Sequence, residues 1–138
     1  MTNMDRRSVL SLGIVAASAL AVTRSASAQT YGSAEGKELA PGVRQVDLGD
    51  RESLIPAYQK IRMRDIVIEP GAATPDTEMM NDMVCHLTEG ELSVTQNAKQ
   101  FTAKKGDVWS CSKGINTEGT KNSGNTVAVM RIIDLLTA

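Results

Sequence analysis

An all-β barrel or sandwich is the fold class this sequence predicts, on three observations. Short apolar segments alternate with turn-forming clusters of Gly, Asn, Asp and Ser at intervals of roughly 8–12 residues. Beyond the first 28 residues no stretch carries a convincing helical period; residues 51–60 come nearest, and Pro56 interrupts them. With 138 residues, 41% of them hydrophobic, the chain is long enough to bury one core and too short for two domains.

The chain opens with an address. Arg6 and Arg7 precede an almost wholly apolar run from Val9 to Val22, and Ala26-Ser27-Ala28 makes a small-residue cleavage site before Gln29. The run is shorter than the ~18–20 residues that a membrane span needs, so residues 1–28 are read as an export signal. The paired arginines resemble a bacterial twin-arginine signal, with Asp5 and Ser11 departing from its usual residues. Arg24 near the cleavage site fits the same route, and ordinary secretion is the alternative. The expected location is periplasmic or secreted, with no membrane contact after signal removal.

Losing residues 1–28 takes the formal net charge from −1 to about −3. That charge, with only 3% aromatic residues, excludes the basic field and the stacking platforms that nucleic acid requires. In an oxidising compartment Cys85 and Cys111 have one intramolecular pairing open to them; a disulfide and two free buried thiols both remain open.

Residues 29–41 are rich in Gly, Ser, Ala and charge and read as a flexible leader, able to cross the barrel or swap onto a neighbouring subunit. The domain proper is expected over 42–138. Val43 to Leu48 alternate strictly, as a half-buried strand does if Arg44, Gln45 and Asp47 avoid the core. Tyr58 to Ile68 is the longest strand candidate, and its alternation slips: Ile61 and Met63 share one face, Ile66 and Ile68 the other. Either a bulge lies near Asp65 or both faces of the later half are covered. Glu69-Pro70-Gly71 ends this strand. Further strands are expected at 83–87, 92–95, 100–103, 108–111, 115–121 and 126–136, with turns between them. The expected core is Val67, Met79, Met83, Cys85, Val108, Val129 and Ile133.

Gly71 to Gly90, GAATPDTEMMNDMVCHLTEG, has the spacing G-x5-H-x-H-x3-E-x6-G of the first motif of cupins, small β-barrels whose two histidines and glutamate hold a divalent ion. Pro70-Gly71 with Thr74-Pro75, then Thr88-Glu89-Gly90-Glu91-Leu92 and Lys104-Lys105-Gly106-Asp107-Val108-Trp109, resemble the turns that frame that barrel. The second motif, G-x5-P-x-G-x2-H-x3-N, finds its glycines at Gly106 and Gly114, with Ser112, Thr117 and Lys121 in place of the proline, histidine and asparagine. The resemblance covers about residues 61–135 and implies an all-β, cupin-like double-stranded β-helix, or jelly-roll barrel, commonly a homodimer.

It contradicts the usual cofactor. The four ligand positions fall on Thr77, Met79, Met83 and Thr117, and two thioethers with two hydroxyls offer little to Mn, Fe, Ni or Zn. The leading expectation is therefore an exported barrel without metal or other cofactor. Its pocket of Thr77, Met79, Met83, Cys85, Trp109 and Thr117 would bind a small apolar or weakly polar molecule, or the domain would serve as an assembly module.

Three alternatives carry chemistry. Met79, Met83, Cys85 and His86 are soft donors suited to copper, although alternation turns His86 away from Met83 and Cys85. Displaced ligands Cys85, His86 and Glu118 would make a metal-dependent oxygenase or isomerase. His86 or Glu118 alone would serve a metal-free isomerase or lyase as acid or base, Glu118 reaching the interior if a one-residue bulge swings it into the place of Thr117. Glu78 and Asp82 take the parity opposite Met79 and Met83 and are expected in solvent. Arg62, Arg64 and Arg131 are the strand cations; one turned inward would hold a carboxylate in a bidentate contact, and exposure is the general expectation for all three.

Overall fold

The computed structural model describes residues 30–115 and 117–138, so the segment read as an export signal lies outside the described residues. The chain from Tyr31 onward folds as one unit of antiparallel β-structure. Its strands are β1 (Lys37–Ala40), β2 (Val43–Glu52), β3 (Lys60–Ile68), β4 (Asp82–Glu89), β5 (Glu91–Gln96), β6 (Lys99–Lys104), β7 (Val108–Cys111), β8 (Glu118–Lys121) and β9 (Ala128–Leu136). Six form a sheet in the order β1-β2-β3-β9-β4-β7, and three form a second sheet in the order β6-β5-β8. No helix long and apolar enough to cross a membrane is present among the described residues.

Alternation sorts the side chains of the large sheet onto two faces. Facing the small sheet are Val43, Ile66, Ile68, Met83, Cys85, Leu87, Cys111, Ala128, Met130 and Ile132, which pack with Leu92, Val94 and Ala103 into one apolar cluster. The other face carries Arg44, Val67 and Val129 in one cross-strand row and Asp65 and Arg131 in the next. Val67 and Val129 are fully buried there, because the chain around Tyr31 to Glu35 lies over them. Arg44 donates to the Gly32 and Glu35 carbonyl oxygens and pairs with Glu69, and the Tyr31 hydroxyl donates to Asp65, itself held bidentately by Arg131. Burial, then this hydrogen bond, pushes the Tyr31 phenol up to about 12.

Several expectations change. Arg44 is buried instead of avoiding the interior. β3 keeps an unbroken register with β9, and Asp65 to Ile68 are all buried, so the strand is covered on both faces; the register shift sits in β2, between Asp47 and Gly49. Residues 37–40, within the segment read as a leader, form β1 and pair with β2. Of the strand expected at 115–121, Glu118 to Lys121 form β8, while Ile115 and Thr117 are outside any strand. Of the expected core, Met83 and Cys85 lie in the inner cluster and Met79 packs against it, whereas Val67 and Val129 are buried on the opposite face. Ile133 is only half-buried, and Val108 is 63% exposed.

Gly90 shows how closely the turns are specified. It joins β4 to β5 at φ +78°, and a Cβ placed there would lie 2.7 Å from the Val127 carbonyl oxygen and 2.8 Å from the Ala128 Cα. Both the left-handed backbone and the close approach of β9 demand glycine.

Candidate functional site

A cavity of about 260 Å³ opens between the two sheets. The large sheet contributes Val43 and Ile66, Met130 and Ile132, and Met83 and Cys85, the inward residues of β2, β3, β9 and β4. Thr120 and Glu118 come from β8 of the small sheet, and the β3–β4 connector supplies Thr74, Pro75, Thr77 and Met79. That connector is stitched to β8: Thr77 and Glu118 exchange backbone N–H···O bonds of 3.2 Å, and the Thr120 N–H donates to Thr74 Oγ1 at 2.8 Å. The stitching fixes the parity of β8, with Glu118 and Thr120 inward.

Glu118 is 8% exposed in a largely apolar surround. Its Oε1 accepts a 3.1 Å hydrogen bond from the Cys111 thiol, while Oε2 is buried with no hydrogen-bond partner among the described residues. The Trp109 indole faces the same carboxylate, and its Nε1 is likewise buried without one. Burial raises the Glu118 pKa above the usual carboxylate range; Cys111, Gln96 and Trp109 offset part of that rise. Cys85 and Cys111 are both free and buried. Interaction with Cys111, then burial, pushes the Cys85 thiol up, so Cys85 lines the cavity as a protonated thiol and a poor nucleophile.

Arg64 also lines the cavity, from β3. It is held by Asp134, whose Oδ2 accepts from Nε at 2.8 Å and whose Oδ1 accepts from Nη2 at 3.1 Å, and by the Gln45 amide oxygen at 3.0 Å. Asp134 is fully buried and also accepts from Arg62 Nε and Asn81 Nδ2. Burial alone would raise its pKa; Arg64, Asn81 and Arg62 outweigh burial and hold it below the ordinary value.

The structure brings Thr77, Met79, Met83 and Cys85 to one cavity, the first two from the connector and the last two from β4. Thr117 is exposed, and Glu118 stands inside the wall one residue later. Trp109 sits beyond the cavity lining, behind Glu118, where the Phe101 ring meets it edge-on with centroids 5.9 Å apart. His86 lies on the outer face of β4, its Nδ1 3.3 Å from the Asp107 carbonyl oxygen, so it joins neither Met79, Met83 and Cys85 nor Glu118. Exposure was the general expectation for Arg62, Arg64 and Arg131, with one of them turned inward as the alternative, and Arg64 is the one that lines the cavity. Arg64 shares its parity with Ile66 and Ile68, but Val67 leaves both faces of this part of the strand apolar, so parity alone did not mark Arg64 as inward.

The fold is that of a cupin. Among solved structures with this fold, the cupin domain of Cnp3 from Schizosaccharomyces pombe has a TM-score of 0.58 at 22% identity, over 72% of this chain and 69% of that one. A predicted oxalate decarboxylase from Thermotoga maritima has a TM-score of 0.57 at 20% identity, over 68% of this chain and 80% of that one. An RmlC-like cupin from Shewanella frigidimarina has a TM-score of 0.58 at 15% identity, over 73% and 83%. No protein-family model matches the chain, and no curated protein does.

A divalent ion, which the cupin motif implies, does not fit the residues present. The motif positions on the cavity wall offer one hydroxyl and two thioethers, and the described residues contain no group of three or more His, Cys, Asp or Glu able to hold a metal. Among the described residues Glu118 is the one carboxylate in the lining.

The opposed carboxylates make opposite pH predictions. Because the Glu118 pKa is raised on folding, its contribution to stability is complete below about pH 4.3, the unfolded value, and is lost as pH rises through the folded value. Glu118→Gln is therefore expected to gain thermal stability relative to the parent between about pH 4 and pH 7, read from melting temperatures across that range. An unchanged difference across the series would show that Glu118 titrates as it does when unfolded.

Proposed function

We propose that this protein is a metal-independent binding protein that encloses a small, mostly apolar molecule in the cup between its sheets. It works outside the cytoplasm, as the sequence of residues 1–28 indicates. The observation that carries the reading is a cavity walled by Val43, Ile66, Met83, Met130 and Ile132 at the place where the cupin motif calls for imidazole ligands. At about 260 Å³ it lies just below the ~300–1,000 Å³ of pockets for drug-sized ligands, so its occupant is small. Solved structures of the same fold include a predicted oxalate decarboxylase, so the fold by itself does not choose between binding and catalysis.

The test is a panel of four- to eight-carbon alcohols, ketones and acids, applied to protein dialysed against a chelator and read by melting temperature and calorimetry. At least one member is expected to bind stoichiometrically and raise the melting temperature. Met79→Trp, which puts a larger side chain into the cavity lining, is expected to abolish binding, with the far-UV circular dichroism of the variant checked to show that the fold is retained. Binding that disappears with the chelator, or a panel with no binder, would overturn the reading.

A further inference from the structure

Among the described residues one cation, Arg64, stands in the lining of this mostly apolar cup, and its side chain keeps 18% exposure. The Asp134 carboxylate grips its Nε and Nη2, and the Gln45 amide oxygen accepts from Nη1. A guanidinium has five N–H groups, so one on each terminal nitrogen is left without a protein acceptor among the described residues. Asp134 also binds Arg62, so two guanidiniums share one buried carboxylate and one positive charge is left over. Asp47, opposite Arg64 in the β2–β3 register, is exposed and accepts from the Gln45 amide. The guanidinium also acts across the cavity: contact with Cys111 and burial push the Cys85 thiol up, and Arg64 opposes that rise from the far side of β9.

The cup has no second polar anchor at Glu118, because Oε1 is turned onto Cys111 and Oε2 is buried beside the Trp109 indole. A wholly apolar occupant would strip water from the free N–H groups of Arg64 and return nothing for it. One anionic head on an apolar body answers both the cation and the walls. We infer that the cup takes a short-chain aliphatic monocarboxylate, its carboxylate accepting from the free N–H groups of Arg64 and its hydrocarbon chain lying against Met83, Met130 and Ile132. This names the ligand class of the binding reading above and rests on it. A carboxylate suits the site better than a phosphate, since its single charge equals the one that Asp134 leaves unanswered, and a phosphate brings up to about two.

The probes are the straight-chain carboxylates of four to eight carbons, compared by calorimetry at about pH 7 with the 1-alkanols and α,ω-dicarboxylates of equal length. At least one monocarboxylate is expected to bind roughly tenfold or more tighter than its alcohol, the gain from charge-assisted hydrogen bonds to the head. It is also expected to bind tighter than its dicarboxylate, whose second charge would be carried into the apolar interior. Arg64→Met is expected to erase the preference over the alcohol, and Arg64→Lys, which keeps the charge and loses the planar fork, to retain only part of it. The comparison among ligands on the unaltered protein decides the matter even if neither variant folds. Should 1-alkanols bind while carboxylates bind no better, or the dicarboxylate bind as tightly as the monocarboxylate, this inference fails and the binding reading survives. Should no probe of any kind bind, both fail.

Discussion

Asp134→Ala is expected to destabilise the protein by about 3–5 kcal/mol, the cost of removing one partner from a fully buried ionic network. The carboxylate accepts four hydrogen bonds, two from Arg64 and one each from Arg62 and Asn81. Most of the loss comes from Arg64, whose side chain is 18% exposed and would face an apolar cup without a counter-charge. Arg62 is 41% exposed and water compensates it, so its share is small. Urea unfolding checks the magnitude through the midpoint at unchanged slope. The double variant Arg64→Met with Asp134→Ala is expected to recover part of the loss, because removing both members of a buried pair costs much less than removing one. The pH dependence has a definite sign. A lowered pKa makes the Asp134 contribution complete above about pH 3.9 and lost as pH falls through the folded value, so parent and variant converge only in acid. A loss below about 1 kcal/mol at neutral pH would remove Asp134 as the anchor of the cup.

The second large effect is expected at Gly90. Alanine there must take φ +78° and place its Cβ against the backbone of Val127 and Ala128, atoms that cannot rotate away. Left-handed strain and overpacking together suggest about 2–4 kcal/mol. Gly71→Ala is the control: its φ of +85° carries the conformational cost, but nothing lies within 4 Å of the added methyl, so about 1 kcal/mol is expected. Chemical denaturation of the two variants side by side separates steric from conformational cost. Equal losses would show that β9 yields to the added methyl.

The contrast between these positions also marks what was legible in the sequence. Turns were, because a chain reversal leaves chemical signs: Gly71, Gly90, Gly106 and Gly114 all adopt positive φ. The inward face of β4 was legible too, since Met83, Cys85 and Leu87 alternate with more polar neighbours. The inward faces of β3 and β9 were not. Ile66-Val67-Ile68 and Val127 to Ile133 are apolar on both parities, so alternation names no side, and the odd residues Val67, Val129 and Ile133 were assigned inward. What decides the face is the cover over the other one, where the chain around Tyr31 packs on Asp65 and Val67, a contact between residues more than thirty positions apart. Asp134, an acid on the same parity as Met130 and Ile132, was the overlooked clue: inside an apolar strand it requires a cation, and its partner is Arg64. The position of Glu118 was legible only in part. Motif spacing points to Thr117, and the one-residue offset is set by the backbone bonds between Thr77 and β8, which spacing within the second motif does not encode.

Trp109 gives the molecule an optical handle of its own. It is the sole indole in the chain, its Nε1 is turned without a partner toward Glu118, and a pair of thiols lies in the same inner layer. Emission from such a ring is sensitive to the charge of the neighbouring carboxylate. Protonation of Glu118 is therefore expected to change the colour and brightness of the unlabelled protein.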